Sequence, residues 1–357
     1  MRILYVADLR RTSSTYGRYE GLCLPEVEVV PFPTHYICTG ANRIENILGH
    51  RLYLTPSVFR GNKRLLREVV TRRPDFVWID KGRWCFPSTL RAIKRLGPRL
   101  VHHNTDDINW NGGYSWLHRL GIPHYDFYFT TNRFNVREIS QKYGVKTMRA
   151  GMGYDRSLHV PAAGYSGVGP DVIFVGHWEC HTEHYLSVLV ESGLRVGVHG
   201  HGWRRARDRR FRDVLPLPQE DYNRRLREAR LVLCSLSRRN RNESTGRSFE
   251  IPAVNGCMLA ESTPEHRFLF RHGKEALLFR DVDEMVALVR TAVADEKYRR
   301  SLADAGRVRC LELGLSWQEH MAREWPMCVA HFDAATKSNL GDAPFWVGYR
   351  VGDAWND

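Results

Sequence analysis

The alternation of short apolar runs with amphipathic stretches is the feature that most constrains how this chain can fold. In the first half, runs rich in aromatic and β-branched residues are each followed by a stretch with helical spacing of apolar residues. Such alternation is typical of a parallel sheet covered by helices on both faces. The predicted strands are 3–7, 27–30 (stopped by Pro31), 74–80, 99–103 and 125–131, and the predicted helices are 62–71, 87–96 and 135–143.

The same pattern restarts after a segment rich in glycine and proline at 161–170, which is typical of a linker. We therefore expect two doubly wound α/β domains, at 1–165 and 166–325, that face each other across a cleft. We expect the remaining segment, 326–357, to pack back on the N-terminal domain. The second set of predicted strands is 170–176, 194–200, 231–236 and 257–260, and the helices are 184–192, 219–229, 249–255, 282–293 and 298–311.

The length of 357 residues suits two domains. No apolar run approaches the roughly 18 residues that a membrane helix needs, so we expect no transmembrane segment. The N-terminus lacks the pattern of a signal peptide, which predicts a cytoplasmic protein. The eight cysteines show no CxxC pair and no zinc-type spacing, so we expect reduced thiols and no metal site.

The chain carries a formal net charge of +13, which predicts attraction to an anionic partner. Its densest basic runs are 204–212 and 238–241. A nucleic acid, an anionic membrane surface and an anionic substrate all remain open, because basic runs are also common on solvated faces. The sequence contains no zinc finger and no aromatic RNA-binding motif that would sharpen the choice.

The segment 245–261 carries the clearest chemistry. It predicts a loop, a short helix, a turn at Gly256 and a buried strand. The free N–H groups of a helix N-terminus bind phosphate, and the Arg247 guanidinium suits a diphosphate. Glu250 lies near the helix start, where it can accept hydrogen bonds from ribose hydroxyls. The alternative is an ordinary helix start with a solvated arginine.

This segment resembles the donor-site half of the CgeB-like (spore-maturation type) glycosyltransferases. These are similar to the retaining transferases of group 1, or family 4, with the two-Rossmann GT-B fold. Matching residues also include Asp80–Gly82, Asp106 and Asp107, 171–176, 274–279 and 298–306. The resemblance implies transfer of a sugar, with retention, from a UDP-, GDP- or dTDP-sugar to an unidentified acceptor, without a metal or further cofactor. Under it 1–165 is the acceptor domain and 166–325 the donor domain.

The resemblance also implies residue roles. Glu250 would hold the ribose and Arg247 the diphosphate, with Thr245, Ser248 and Phe249 around them. The larger group has a second glutamate eight positions earlier, with seven residues between the two. Here Asn242 holds that place, and Glu243 is one residue closer, so Glu243 is the catalytic candidate. After Gly176, where the group has basic side chains, this chain offers His177 and His181 instead.

Three further predictions concern strand ends. His103 is a candidate catalytic histidine, although a histidine bonded to a turn is an equal alternative. Asp107 is a second catalytic candidate, with acceptor orientation, metal binding or helix capping left open. In the glycine-rich loop 199–203, Gly202 would let the chain approach the donor, and Trp203 would stack on its base.

Two rival interpretations come from other classes of protein. The basic runs favour a nucleic-acid-binding protein, or a transferase whose acceptor is a nucleic acid or an anionic cell-surface polymer. The displaced Glu243 favours a degenerate GT-B protein that binds donor without turnover. The sequence predicts neither the sugar, the base nor the oligomeric state.

Overall fold

The computed structural model describes residues 1–38, 53–109, 116–161 and 164–335. This part of the chain divides into two compact units. The first unit comprises Met1–Met152 together with the described residues from Trp317 onward, and the second comprises Gly153–Ser316. The chain therefore enters the second unit before the linker expected near 165, and it returns to the first unit before residue 326.

The first unit is built on a parallel sheet of six strands in the order β2-β1-β3-β4-β5-β6. The strands are β1 (Arg2–Ala7), β2 (Glu28–Pro33), β3 (Phe76–Asp80), β4 (Arg99–Asn104), β5 (Phe127–Thr130) and β6 (Lys146–Arg149). The helices are α1 (Ser14–Leu22), α2 (Pro56–Arg72), α3 (Pro87–Arg95), α4 (Trp116–Gly121), α5 (Arg133–Tyr143) and α12 (Trp317–Ala335).

Strand β2 does not stop at Pro31 as expected. It continues to Pro33, with Pro31 opposite Tyr5 of β1. Proline is tolerated here because β2 is the edge strand of its sheet, where one side of the backbone has no neighbour that needs its N–H group.

Helices α1 and α12 cover one face of this sheet, and neither was predicted. The sequence pattern predicted no helix between the predicted strands 3–7 and 27–30, but a helix begins there after Ser13. A Cβ atom at Gly21 would lie 2.8 Å from the Gln318 Cα atom, so α1 and α12 pack backbone to backbone. Met321 and Trp325 of α12 join the buried core beneath them.

The second unit is built on a parallel sheet of five strands in the order β11-β10-β9-β7-β8. The strands are β7 (Val172–Val175), β8 (Val196–His199), β9 (Leu231–Cys234), β10 (Met258–Glu261) and β11 (Leu277–Phe279). The helices are α6 (Cys180–Glu191), α7 (Gln219–Glu228), α8 (Gly246–Ala253), α9 (Pro264–Leu269), α10 (Val282–Ala294) and α11 (Glu296–Glu312), with short 3-10 helices at Trp203–Arg205 and Arg209–Phe211.

Both units are thus Rossmann-like, which confirms the predicted fold class. In each sheet the strand order reverses next to the first strand, between β1 and β3 and between β7 and β9. Ligands of open α/β sheets bind beyond the carboxyl ends of the strands at such a switch point. Among the described helices, none is both long and apolar enough to cross a membrane.

Candidate functional site

The switch point of the second unit lies between β7 and β9. These strands pair at Val172 with Leu231 and at Ile173 with Val232, and the pairing ends before either strand does. The carboxyl end of β7 at Val175 is therefore where this sheet opens toward a ligand.

Arg247 is fixed at this strand end. Its Nε atom donates to the Val175 carbonyl oxygen over 3.0 Å, and its Nη1 atom donates to Glu250 Oε2. The guanidinium carbon lies 4.8 Å from the centre of the Tyr222 ring. The Tyr222 hydroxyl donates to the same Glu250 oxygen over 2.7 Å. Arg247, Glu250 and Tyr222 thus form one cluster, which we call the arginine–glutamate cluster.

Both charges of this cluster are retained at neutral pH. Burial raises the pKa of Glu250, but the Arg247 charge and the nearby His159 outweigh it and hold that pKa below its usual value. The carboxylate in turn raises the pKa of Arg247 despite burial. Burial is also the main reason that the pKa of the Tyr222 hydroxyl is raised, so it remains a donor.

Arg247 and Glu250 each keep one polar atom that makes no hydrogen bond within the described part of the chain. These atoms are Arg247 Nη2 and Glu250 Oε1. Both side chains are partly exposed, at 33% for Arg247 and 16% for Glu250. The cluster therefore presents a cationic donor and an anionic acceptor side by side, which suits a ligand with an anionic group close to hydroxyl groups.

The start of helix α8 explains why the pair is so placed. The helix begins at Gly246, earlier than predicted, so Arg247 and Glu250 both lie in its first turns and meet at (i, i+3) spacing. The Thr245 amide donates to Ser248 Oγ over 3.0 Å. Ser248 Oγ also lies 2.8 Å from His266 Nε2. Thr245 and Ser248 thus shape the helix start.

Two predicted donor-contacting residues are buried in the core instead. Phe249 has no exposed surface. Trp203 is 1% exposed, packs against Phe174 and Phe211, and donates from Nε1 to the Gly176 carbonyl oxygen over 3.1 Å. The expectation that Trp203 stacks on a base was wrong, because its ring packs into the core of the second unit.

Loops after β7 and β8 continue the pairing of these strands. The Gly176 amide donates to the His199 carbonyl over 2.9 Å, and the Trp178 amide donates to the His201 carbonyl over 2.9 Å. At Gly200, φ is +147°, and a Cβ atom would lie 1.8 Å from the Gly176 oxygen, so this position requires glycine. Gly202 has φ +85° and precedes the first 3-10 helix.

These loops bring two exposed histidines together. The His177 and His201 rings lie 5.6 Å apart. Burial, His201 and Arg247 all lower the pKa of His177, so it is neutral at pH 7. His177 follows two residues after Val175, whose carbonyl oxygen accepts from Arg247 of the arginine–glutamate cluster.

Two other candidates of the second unit have structural contacts. His181 Nε2 lies 2.8 Å from the Leu236 carbonyl oxygen and ties the start of α6 to the loop after β9. The Glu243 carbonyl accepts from Thr263 Oγ1 over 2.7 Å. Their predicted roles toward a ligand stay predictions.

In the first unit, His103 is fully buried at the end of β4. Its ring lies beside those of Trp78 and Phe129, at 6.3 and 6.2 Å between ring centres, and Nε2 lies 3.8 Å from Glu324 Oε2. Burial, followed by the Arg18 charge, lowers its pKa to about 3, so the ring is neutral. In this arrangement the His103 ring has no exposed surface that a ligand could contact.

Asp107 is likewise buried, at 1% exposure. Its Oδ1 atom accepts from the Asn109 amide and from Asn135 Nδ2, each over 2.9 Å. These bonds hold the turn after β4 against α5. Among the described residues, no three histidine, cysteine or acidic side chains are grouped to hold a metal ion.

The sequence analysis missed two members of the site in the second unit. Tyr222 was assigned only to a helix start, and His159 was not singled out. His159 packs edge-on against the Tyr222 ring, at 5.9 Å between centres. Neither has a local signal, because both reach Glu250 only through the tertiary fold.

Glu324 of α12 has an unusual environment next to His103. Its Oε1 atom accepts from the Gly151 amide over 2.9 Å, and burial raises its pKa to about 8. An unfolded glutamate titrates near 4.3, so between these values only the unfolded state ionises and stability falls as the pH rises.

We expect Glu324→Gln to remove this loss. The variant should match the wild type near pH 5 and exceed its free energy of unfolding by about 2–4 kcal/mol at pH 8. Urea unfolding at both pH values measures the difference. Glu28→Gln, at an exposed carboxylate of the same unit, is the control and should show no such pH dependence. An equal effect of Glu324→Gln at both pH values would contradict the assignment.

Two Rossmann-like units, each built on a parallel sheet, give this chain the GT-B class of fold. Residues 182–323 match the family model described as glycosyl transferase-like. This range contains all three members of the arginine–glutamate cluster. No curated protein matches the sequence at a significant level.

Solved structures with this fold include a synthase, a protein in complex with UDP-glucose and an epimerase. Sucrose-phosphate synthase from Thermosynechococcus elongatus has a TM-score of 0.65 at 13% identity, covering 94% of this chain and 100% of that one. HepE from Anabaena, in complex with UDP-glucose, has a TM-score of 0.60 at 12% identity, covering 93% and 100%. A protein from Listeria monocytogenes described as a putative UDP-N-acetylglucosamine 2-epimerase has a TM-score of 0.55 at 13% identity, covering 93% and 97%.

Proposed function

We propose that this protein is a glycosyltransferase that moves a sugar from a nucleoside-diphosphate sugar to an acceptor. The observation that carries the proposal is the arginine–glutamate cluster, with Arg247 Nη2 and Glu250 Oε1 unused at the carboxyl end of β7. A nucleoside diphosphate has the matching groups, since its anionic phosphates lie close to the ribose hydroxyls.

In this proposal Arg247 binds the diphosphate and Glu250 accepts hydrogen bonds from the ribose. The match to a glycosyl transferase-like family over 182–323 supports a transferase, and structures of HepE with UDP and with UDP-glucose support the class of donor. A CgeB-like specificity, retention and a cytoplasmic location are parts of the same proposal that rest on the resemblance.

Catalysis would depend on the charge that develops on the leaving diphosphate as the bond from the sugar carbon to the phosphate oxygen breaks. Arg247 stabilises that charge more strongly in the transition state than in the bound donor. The acceptor oxygen forms the new bond to the same carbon and gives its proton to the leaving phosphate. In this proposal His177, which is neutral, donates a hydrogen bond to a phosphate oxygen.

Binding of a panel of UDP-, GDP- and dTDP-sugars tests the proposal. We expect at least one of them to bind with a dissociation constant in the micromolar range, by calorimetry, and to be slowly hydrolysed. Arg280→Ala, which removes an exposed (i, i+4) pair with Glu284 in the same unit, should bind equally well. Binding without any turnover would favour the degenerate GT-B interpretation. If no member of the panel binds, both the transferase proposal and the degenerate GT-B interpretation are contradicted.

A further inference from the structure

A strongly basic surface follows β8 in the second unit. It is formed by residues 204–212, which we call the arginine segment. Four of its arginines are exposed and have no carboxylate partner in the part of the chain that the structure describes: Arg204, Arg205, Arg207 and Arg209. Of the other two, Arg210 pairs with Asp208 and Glu191, and Arg212 donates to backbone carbonyls.

The backbone of the arginine segment is firmly anchored. Its two 3-10 helices bury Ala206 and Phe211, next to the buried Trp203. The Asp208 amide donates to Glu183 Oε1 over 2.7 Å, and Ser187 Oγ donates to Asp208 Oδ2 over 2.8 Å. The segment therefore presents its unpaired arginines from a fixed position against helix α6.

The unpaired arginines bring no evident benefit to the fold. Some other exposed arginines of this unit meet carboxylates, as Arg195 meets Asp171 and Arg224 meets Glu228. Four like charges within six residues repel one another instead, and this lowers stability. A surface that keeps such a cost is well suited to bind an anion that neutralises it.

The arginine segment begins beside the arginine–glutamate cluster. Two consecutive carbonyl groups at the end of β7 hold the two features, since Val175 accepts from Arg247 and Gly176 accepts from Trp203. A polyanion on the segment would therefore lie near the place where the proposed donor binds.

We propose that the arginine segment binds the phosphodiester backbone of a nucleic acid. The apolar side chains of the segment point into the core, which leaves nothing in it to enter a lipid bilayer, whereas interfacial membrane segments need an exposed apolar face. Arginine also matches phosphate oxygens in geometry as well as charge. That the bound nucleic acid is the acceptor rests on the proposed transferase function, but the binding itself does not.

Fluorescence anisotropy with a short duplex DNA, titrated over a range of salt concentrations, tests this proposal. The variant replaces Arg204, Arg205, Arg207 and Arg209 with glutamine. The control replaces four exposed basic residues of the first unit with glutamine, Arg60, Lys63, Arg67 and Arg95, and so removes the same net charge. The plot of log affinity against log salt has a negative slope, and each lost phosphate contact makes it shallower by about 0.9, so we expect the loss of four contacts to make it shallower by about 3.6.

We also expect the variant to bind the duplex at least about tenfold more weakly at moderate salt, while the control changes much less. Equal losses in the two variants, or no binding by the wild type, would overturn the proposal. Binding to phosphatidylglycerol vesicles but not to DNA would overturn it in favour of a membrane surface.

Measuring sugar-nucleotide binding by the four-arginine variant distinguishes the nucleic-acid proposal from the transferase proposal. Loss of DNA binding with intact donor binding supports the arginine segment as a separate surface. Wild-type protein that binds donor but no DNA overturns this inference alone, and protein that binds DNA but no donor overturns only the transferase proposal.

Discussion

Replacing Arg18 with methionine should lower the free energy of unfolding of the first unit by about 3–5 kcal/mol. Arg18 and Asp80 are both fully buried and form a two-pronged ion pair, with Nε 2.6 Å from Oδ2 and Nη2 3.0 Å from Oδ1. Burial by itself raises the pKa of Asp80, but the charge of Arg18 outweighs burial and holds that pKa below its usual value. Without Arg18, a buried carboxylate would lack its main counter-charge.

Urea unfolding of the single and double variants measures this effect. Arg18→Met with Asp80→Leu should be much closer to the wild type than Arg18→Met alone, because a buried ion pair can be replaced by apolar side chains at little cost. The exposed pair between Arg2 and Glu28 is the matched control, and Arg2→Met should cost about 1 kcal/mol or less. If Arg18→Met also costs only about 1 kcal/mol, the buried Asp80 carboxylate does not need the charge of Arg18 to be stable.

The fold was predictable from sequence because the inner strands of both sheets are buried on both faces. Such strands read as continuous apolar runs, as at Ile3–Ala7 and Val172–Val175, and they are recognisable without tertiary information. Helix α1 was not predictable from the sequence, because it contains Gly17 and Gly21 and has only a weak pattern of apolar residues. The reason for glycine at position 21 is the close packing of α12, which leaves no room for a Cβ atom there.

The candidate site was predictable only where its chemistry is local. Arg247 and Glu250 stand near one helix start and were found there. Whether a strand-end side chain points outward or into the core depends on tertiary packing, so Trp203 and His103 were taken for ligand-facing residues although both are buried. Tyr222 and His159 were also missed, because only the tertiary fold brings them to the site: Tyr222 donates to Glu250, and His159 packs against the Tyr222 ring.

The sharpest test of the arginine–glutamate cluster separates its two halves. Arg247→Ala should weaken binding of a nucleoside-diphosphate sugar by about 100-fold, or about 2.7 kcal/mol, because a charge-assisted pair of bonds to phosphate is lost. It should change the much weaker binding of the corresponding nucleoside far less. Glu250→Ala should instead weaken both ligands by a similar factor, because the ribose is common to them.

Calorimetric titration of both ligands against both variants measures this difference. Glu284→Ala and Arg280→Ala, which break an exposed ion pair of the same unit, should leave both affinities unchanged. Thermal unfolding separates lost contacts from lost structure: Tyr222 still donates to Glu250 when Arg247 is absent, so the helix start should persist. Equal losses for diphosphate and nucleoside in Arg247→Ala would exclude phosphate binding by Arg247, and the cluster would then act only in holding α8 to the end of β7.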